Sequence, residues 1–297
     1  MTSMTLQAKA GGPLRRGLRK IFIDSKVPLV PLGIVVASLL VAVFADFLVL
    51  YDPLAIDPGA AQLPPVFADG GSWAYPLGTD RLGRDILSRI ILGTRVSLSI
   101  AAATILLGGL VGTALGLLAG YRGGWVDALI MRTADGFLAF PSILLALVLA
   151  VTVGPSFWVV VIVLALVLWA RFARLVRGDV LALKGRDFVQ LARVAGASGP
   201  RIVFRHILPN VLNTLMVLCT LQVGWAIIVE ASLTFLGAGV PPPTPTWGGM
   251  VSEGLDYVES AWWISTMPGL AILLIVFSYN LVGDWVRDAL DPQLRNI

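Results

Sequence analysis

The sequence predicts an all-α, polytopic membrane protein with six transmembrane helices and a cytoplasmic helix-turn-helix loop. Three observations carry that expectation. Mean hydropathy is +0.86 and only 13% of the residues are charged, where a soluble domain carries about 25%. The apolar residues gather into runs separated by Gly, Pro and charge, several of them close to the roughly 20 residues that take a helix across the bilayer core. The runs are continuously apolar and do not alternate with period two, which argues against a β-barrel.

In chain order, the tail 1–26 carries Lys9, Arg15, Arg16, Arg19, Lys20 and Lys26 ahead of a first span at 27–50. Basic residues before an apolar run also begin a signal peptide. This run is too long for one and lacks a small-residue cleavage site, so it reads as a retained anchor. A polar stretch, 51–95, separates it from the second span, Val96–Ala119. Gly136–Val153 and Ser156–Ala173 are parted only by a Val-Gly-Pro-Ser turn at Gly154 and Pro155, and read as a tight helical hairpin. Val211–Phe235 and Trp263–Val282 complete the set. The expected organisation is an anchor helix, a five-helix core over 96–285 that includes a long loop at 177–210, and a tail at 286–297.

Orientation follows from Lys and Arg, which accumulate on the cytoplasmic side. With both termini on one side, Arg81, Arg84, Arg89 and Arg95 are the only four of the 22 basic residues facing the other. The loop 177–210 and both tails are therefore cytoplasmic. The four outward arginines are expected to pair with Asp80 and Asp85. The loop before the last span has no Lys or Arg but carries Glu253, Asp256 and Glu259.

Inside the spans, Gly108, Gly112, Gly116 and Gly120 recur at four-residue spacing. Small residues at that spacing make a flat seam for close helix approach in lipid, so helix packing is their expected role. Asp46 sits near the outer end of the first span, within reach of the interface. Glu230 lies deeper, near the outer end of the fifth. Intramembrane acids usually face the bundle or a water-filled path, so Glu230 reads equally as a buried hydrogen-bonding group and as a pathway residue. Neither acid has an expected Lys or Arg partner within a span. Cys219 and His206 each stand alone, which excludes an intramolecular disulfide and leaves no metal-ligand cluster. No nucleophile–base constellation is present either, so no catalytic residue is expected.

The stretch Gly185–Asn210 departs from the rest of the chain, being charged and helical in pattern between two spans. Phe188, Leu191, Ala192 and Ala195 form one stripe at helical spacing, with Asp187, Gln190 and Arg193 on the other side. Asp187 is placed to cap or charge-stabilise the helix start, and Gly196 to end it in a left-handed conformation. Ala197 leads into Ser198 and Pro200, which restart a second short helix by a hydroxyl cap and a first-turn proline. Pro209 is expected to close that helix before the fifth span. Such a unit presents a rigid surface to a cytoplasmic partner. A helix lying flat on lipid headgroups would lack the Gly turn and the second helix.

These residues carry a resemblance. The segment is similar to the cytoplasmic loop of permease subunits of ATP-binding-cassette (ABC) importers, whose pattern is Glu-Ala-Ala, three residues, Gly, nine residues, Ile-x-Leu-Pro. Gln190, Leu191 and Ala192 stand at the first three positions, Gly196 at the Gly, His206 at the Ile, and Leu208 and Pro209 at the end. The first two positions and His206 depart from the pattern. The stretches Pro76–Arg89, Gly123–Asp127, Phe235–Gly248 and Gly283–Pro292 also resemble the dipeptide, oligopeptide and nickel branch, in its second permease type with a short N-terminal tail.

The resemblance implies a non-catalytic transport subunit of the bacterial inner membrane. Its implied partners are a second, homologous permease chain in a heterodimer, two ABC ATPase subunits and an extracytoplasmic solute-binding protein, with membrane lipid around it and no nucleic acid. ATP and Mg would be used by the ATPases, with no cofactor bound by this chain. Consistently, a Walker loop needs Gly-Lys followed by Ser or Thr, and none of Lys9, Lys20, Lys26 and Lys184 follows a glycine. Trp247, Asp256, Glu259 and Trp262 are the outer-face residues expected to meet the binding protein. The alternative, an ion-coupled transporter, would show internal repeats and would leave the loop unexplained.

Overall fold

The computed structural model describes residues 27–290. The tail 1–26 and residues 291–297, with the basic residues assigned to them, lie outside the described residues. Among the described residues the chain is helical throughout, with no strand beyond one isolated bridge between Thr79 and Asp85. In order, the helices are α1 (Leu29–Leu48), α2 (Ile86–Arg122), α3 (Gly124–Ala139), α4 (Ser142–Val153) and α5 (Phe157–Lys184). They continue as α6 (Asp187–Val194), α7 (Gly199–Ile202), α8 (Leu208–Phe235), α9 (Trp247–Gly254) and α10 (Trp263–Leu290).

Five stretches are long and apolar enough to cross a membrane, and α3 with α4, bent by 93° at their junction, together form a sixth of sufficient length and apolarity. The third span is therefore not the straight helix expected over 136–153. Phe140 is extended and Pro141 caps α4, as befits a residue driven out of the helical region by the proline after it. The second span also begins earlier than expected, at Ile86. The Asp85 carboxylate accepts the Ser88 N–H at 2.8 Å, a capping bond that starts the helix, so Arg89 and Arg95 are helical residues.

The glycine seam packs α2 on α5. A Cβ at Gly108 would lie 3.1 Å from the Ala165 carbonyl oxygen, and one at Gly116 2.6 Å from that of Ala173. Gly112 lies against Trp169 and Phe172, and a Cβ at Gly120 would be 2.7 Å from the Val180 Cβ. Four-residue steps on one helix match steps of similar size on the other, so α2 and α5 run parallel, as two helices two crossings apart must. The small residues bring the backbones together, as the spacing predicts. Helix α5 continues past the expected end at Ala173 because Val176 and Val180 stay buried.

The restart after Gly196 also differs. Ser198 stands at the cap of α7 but its hydroxyl makes no capping bond, and Pro200 occupies the first turn. Pro209 does not close the helix. Instead α7 runs into α8 through a wide turn, Val203–Ile207, in which the Leu208 N–H reaches back to the Val203 carbonyl. A proline lacks the N–H that a regular turn would use, and a widened turn absorbs the misfit.

Candidate coupling surface and polar sites of the bundle

Helix α6 is anchored from behind. Val189 is fully buried and packs with Val176, Val180, Ile202, Ile207 and Val211. The Gln190 amide donates to the Lys184 carbonyl at 2.9 Å, and the Lys184 ammonium donates to the Tyr121 carbonyl at 2.6 Å. The C-terminus closes in a Schellman motif: the Ala197 N–H reaches the Ala192 carbonyl and the Gly196 N–H that of Arg193, both at 3.0 Å. Gly196 has φ +78°, which an L side chain would strain. Asp187 makes no capping bond; its carboxylate acts on the helix start by charge alone.

The outer stripe is left uncovered. Phe188 is 40% exposed, Leu191 67% and Val194 87%. Ala192 is half-buried and Ala195 exposed. Arg186, Arg193, Arg201 and Arg205 of the same loop region are all exposed, and none makes an ion pair among the described residues. His206 is half-buried, and its carbonyl accepts the Asn210 amide at 2.7 Å. The helix that delivers the loop is tied down as well: Arg177 binds Asp127 of α3 through two bonds of 2.6 Å, and Arg174 pairs with Asp135.

At the outer end the chain buries charge. Arg84 donates to Asp80 at 2.6 Å and to Glu253 at 2.7 Å. Arg89 donates to Asp80 and, at 2.8 Å, to Glu253. Two cations meet two anions, so the cluster is neutral, as a buried ionic group has to be. The expected pairing with Asp80 is present. That with Asp85 is not, because Asp85 serves as the α2 cap; Glu253, on α9, takes its place. Arg95 binds Asp46 at 2.8 Å and the carbonyls of Ala42 and Val43, so Asp46 does have a partner inside a helix. Arg81 is exposed with no ion pair among the described residues.

Of the outer-face candidates, Asp256, Glu259 and Trp262 are exposed. Trp247 is not: it is fully buried, and its indole N–H donates to the Ile90 carbonyl at 3.2 Å. A large aromatic that starts a short helix turned toward the bundle is core, so Trp247 offers no surface to a partner. Glu230 is sealed between α2 and α8, accepting the Ser97 hydroxyl at 3.0 Å and that of Thr234 at 2.9 Å. In this conformation it is a buried hydrogen-bonding group.

One polar site escaped the sequence reading. Arg171, within the expected span Ser156–Ala173 but counted only among the basic residues of the cytoplasmic side, donates to the Gln222 side-chain oxygen at 3.2 Å and lies 4.6 Å from the Trp225 ring centre. The buried residues Val176 and Val180, which continue the helical period past Ala173, are the signal that would have placed it mid-helix rather than at the span's end.

A family model described as the binding-protein-dependent transport system inner membrane component matches residues 112–296. The chain is 46% identical over 274 residues to the dipeptide transport system permease protein DppC of Escherichia coli K12, covering 92% of this chain and 91% of that one. It is 44% identical over 255 residues to the di/tripeptide transport system permease protein DppC of Pseudomonas aeruginosa, covering 86% and 84%. The glutathione transport system permease protein GsiD of Pectobacterium atrosepticum is 46% identical over 228 residues, covering 77% and 76%. Among solved structures, the inward-facing MetNI methionine ABC transporter shares the fold, with a TM-score of 0.56 at 20% identity over 69% of this chain and 98% of that one. The chain belongs to the binding-protein-dependent inner-membrane components, the non-catalytic permease subunits of ABC importers, in the dipeptide branch of that family.

Proposed function

We propose that this chain pairs with a second, homologous permease and moves short peptides inward across the bacterial inner membrane. An extracytoplasmic binding protein delivers the peptide, and two separate ATPases drive the cycle. The observation that supports this reading most is the apolar stripe Phe188, Leu191 and Val194 on α6, left uncovered by the described residues while Val189 locks the same helix to the bundle. An exposed apolar patch rimmed by charge is the signature of a protein contact. The exposed arginines of the same loop region suit an acidic edge on the ATPase cleft.

The coupling follows from the rigidity of the support. Closure of the ATPases on ATP moves α6. The Schellman turn, the bonds through Lys184 and the continuous α7–α8 rod pass that motion to α5 and α8 rather than dissipating it in a loop. The two permeases then rock between inward- and outward-facing states, and Asp256, Glu259 and Trp262 lie on the face toward the binding protein. The names of the relatives favour a di- or tripeptide as cargo over other solutes. Reconstitution of the five-chain importer in proteoliposomes tests this: uptake of radiolabelled dialanine that requires both ATP and the binding protein is expected. Uptake driven by an ion gradient without ATP would contradict it.

A further inference from the structure

Arg171 sits where a charge needs a reason. It is the fourteenth residue after the first of α5, and Gln222 is likewise fourteen after the first of α8, each close to the middle of a 28-residue helix. Both therefore lie roughly 21 Å along helices that rise 1.5 Å per residue, well inside the bilayer. Among the described residues no carboxylate pairs with Arg171. Its guanidinium has five N–H donors, and the protein supplies one neutral acceptor, the Gln222 oxygen, and one aromatic face, Trp225. The side chain is only half-buried, and its remaining donors have no hydrogen-bond acceptor among the described residues.

The neighbouring helix break points the same way. Asp135 pairs with Arg174 and Phe137 stacks edge-on against Trp169, which sets Arg171 level with the end of α3 and within about 7 Å, along a helix, of the 93° break at Phe140–Pro141. Phe140 and Pro141 are both exposed. Non-helical backbone at membrane depth persists only where it is covered by protein or lines a water-filled cavity, and an unpaired arginine obeys the same restriction. Lipid does not suit this face. It does suit the groove between α2 and α8, a cavity of about 1130 Å³ walled by Leu106, Leu110, Leu118 and Leu212, which Arg171, Gln222 and Trp225 do not line.

We propose that Arg171, held by Gln222 and Trp225, is a carboxylate-binding station on the solute's route through the membrane. Its ligand class is an anionic carboxylate such as the C-terminus of a short peptide, which a guanidinium grips through two parallel hydrogen bonds. The assignment rests on the importer reading above.

Two measurements on the assembled transporter test it. In the first, Arg171→Gln and Arg171→Lys are compared with wild type for dialanine uptake, for ATP hydrolysis stimulated by the loaded binding protein, and for retention of the second permease. Arg171→Gln is expected to keep assembly and stimulated hydrolysis while uptake falls at least about tenfold, with Arg171→Lys intermediate because charge survives but the two-pronged geometry does not. Uptake unchanged in Arg171→Gln overturns the proposal. So does loss of the second permease from both variants, which would make the partner's own carboxylate the ligand. In the second, Arg171→Cys in a Cys219→Ser background is treated with an anionic, membrane-impermeant methanethiosulfonate. Reaction from the aqueous phase is expected; no reaction overturns the site. This second measurement needs no transport, so a wild type that fails to import dialanine would sink the peptide reading while leaving the site to be judged on its own.

Discussion

The outer cap and the cytoplasmic helix α6 solve opposite problems. At the outer end, Arg84, Arg89 and Asp80 are buried, Glu253 is half-buried, and the four charges satisfy one another within the chain. At the inner end, Phe188, Leu191 and Val194 leave apolar surface uncovered by any of the described residues. A buried, self-neutralised cluster is finished without a partner; an exposed apolar stripe on a braced helix is not. The difference teaches where to look for assembly. Substitutions at the cap should damage the fold, and those on the α6 stripe should damage only the complex.

The largest effect belongs to the cap. Arg89→Ala leaves Asp80 and Glu253 sharing Arg84 alone, one negative charge uncompensated at a loss of about 3–5 kcal/mol, so the variant chain should fail to accumulate in the membrane on immunoblots. Gly116→Leu comes next. Its Cβ alone would meet the Ala173 carbonyl at 2.6 Å, so α2 and α5 must separate at a cost of about 1–3 kcal/mol. A lower melting temperature in detergent would register it. Gly196→Ala should cost about 1 kcal/mol for its left-handed backbone, barely shifting the melting temperature yet weakening ATPase binding by re-aiming α6. Smallest of all is Arg81→Ala. This exposed side chain has no ion pair among the described residues, so stability should move by less than about 0.5 kcal/mol. A large destabilisation there would break the contrast between finished and unfinished surfaces.

Much of this architecture was legible because it is local. The apolar runs, the four-residue glycine spacing and the Gly196 turn each act over one or two helical turns, and the structure has them where the sequence puts them. What escaped reading depends on distance or competition. Glu253 meets Arg84 across 169 residues, a pairing no local pattern announces. Trp247 looked like surface because prolines precede it, yet α9 folds it inward. The bend at Pro141 was hidden by an apolar run that continues through it, though a proline inside such a run is itself a boundary signal. The early start of α2 was masked by charge: an Asp cap in a polar stretch reads as loop until the buried salt bridges that neutralise it are visible. Arg171 was read as lying at the cytoplasmic end of its span because the span was ended only two residues beyond it.

The most direct measurement is retention of the ATPase by the detergent-solubilised permease, comparing wild type with Leu191→Asp at matched melting temperature. Wild type should retain both the ATPase and the second permease. Leu191→Asp should lose the ATPase alone, because a carboxylate replaces the centre of an exposed stripe without touching Val189 behind it. Equal retention of the ATPase by the two proteins would contradict the assignment of α6 as the coupling surface.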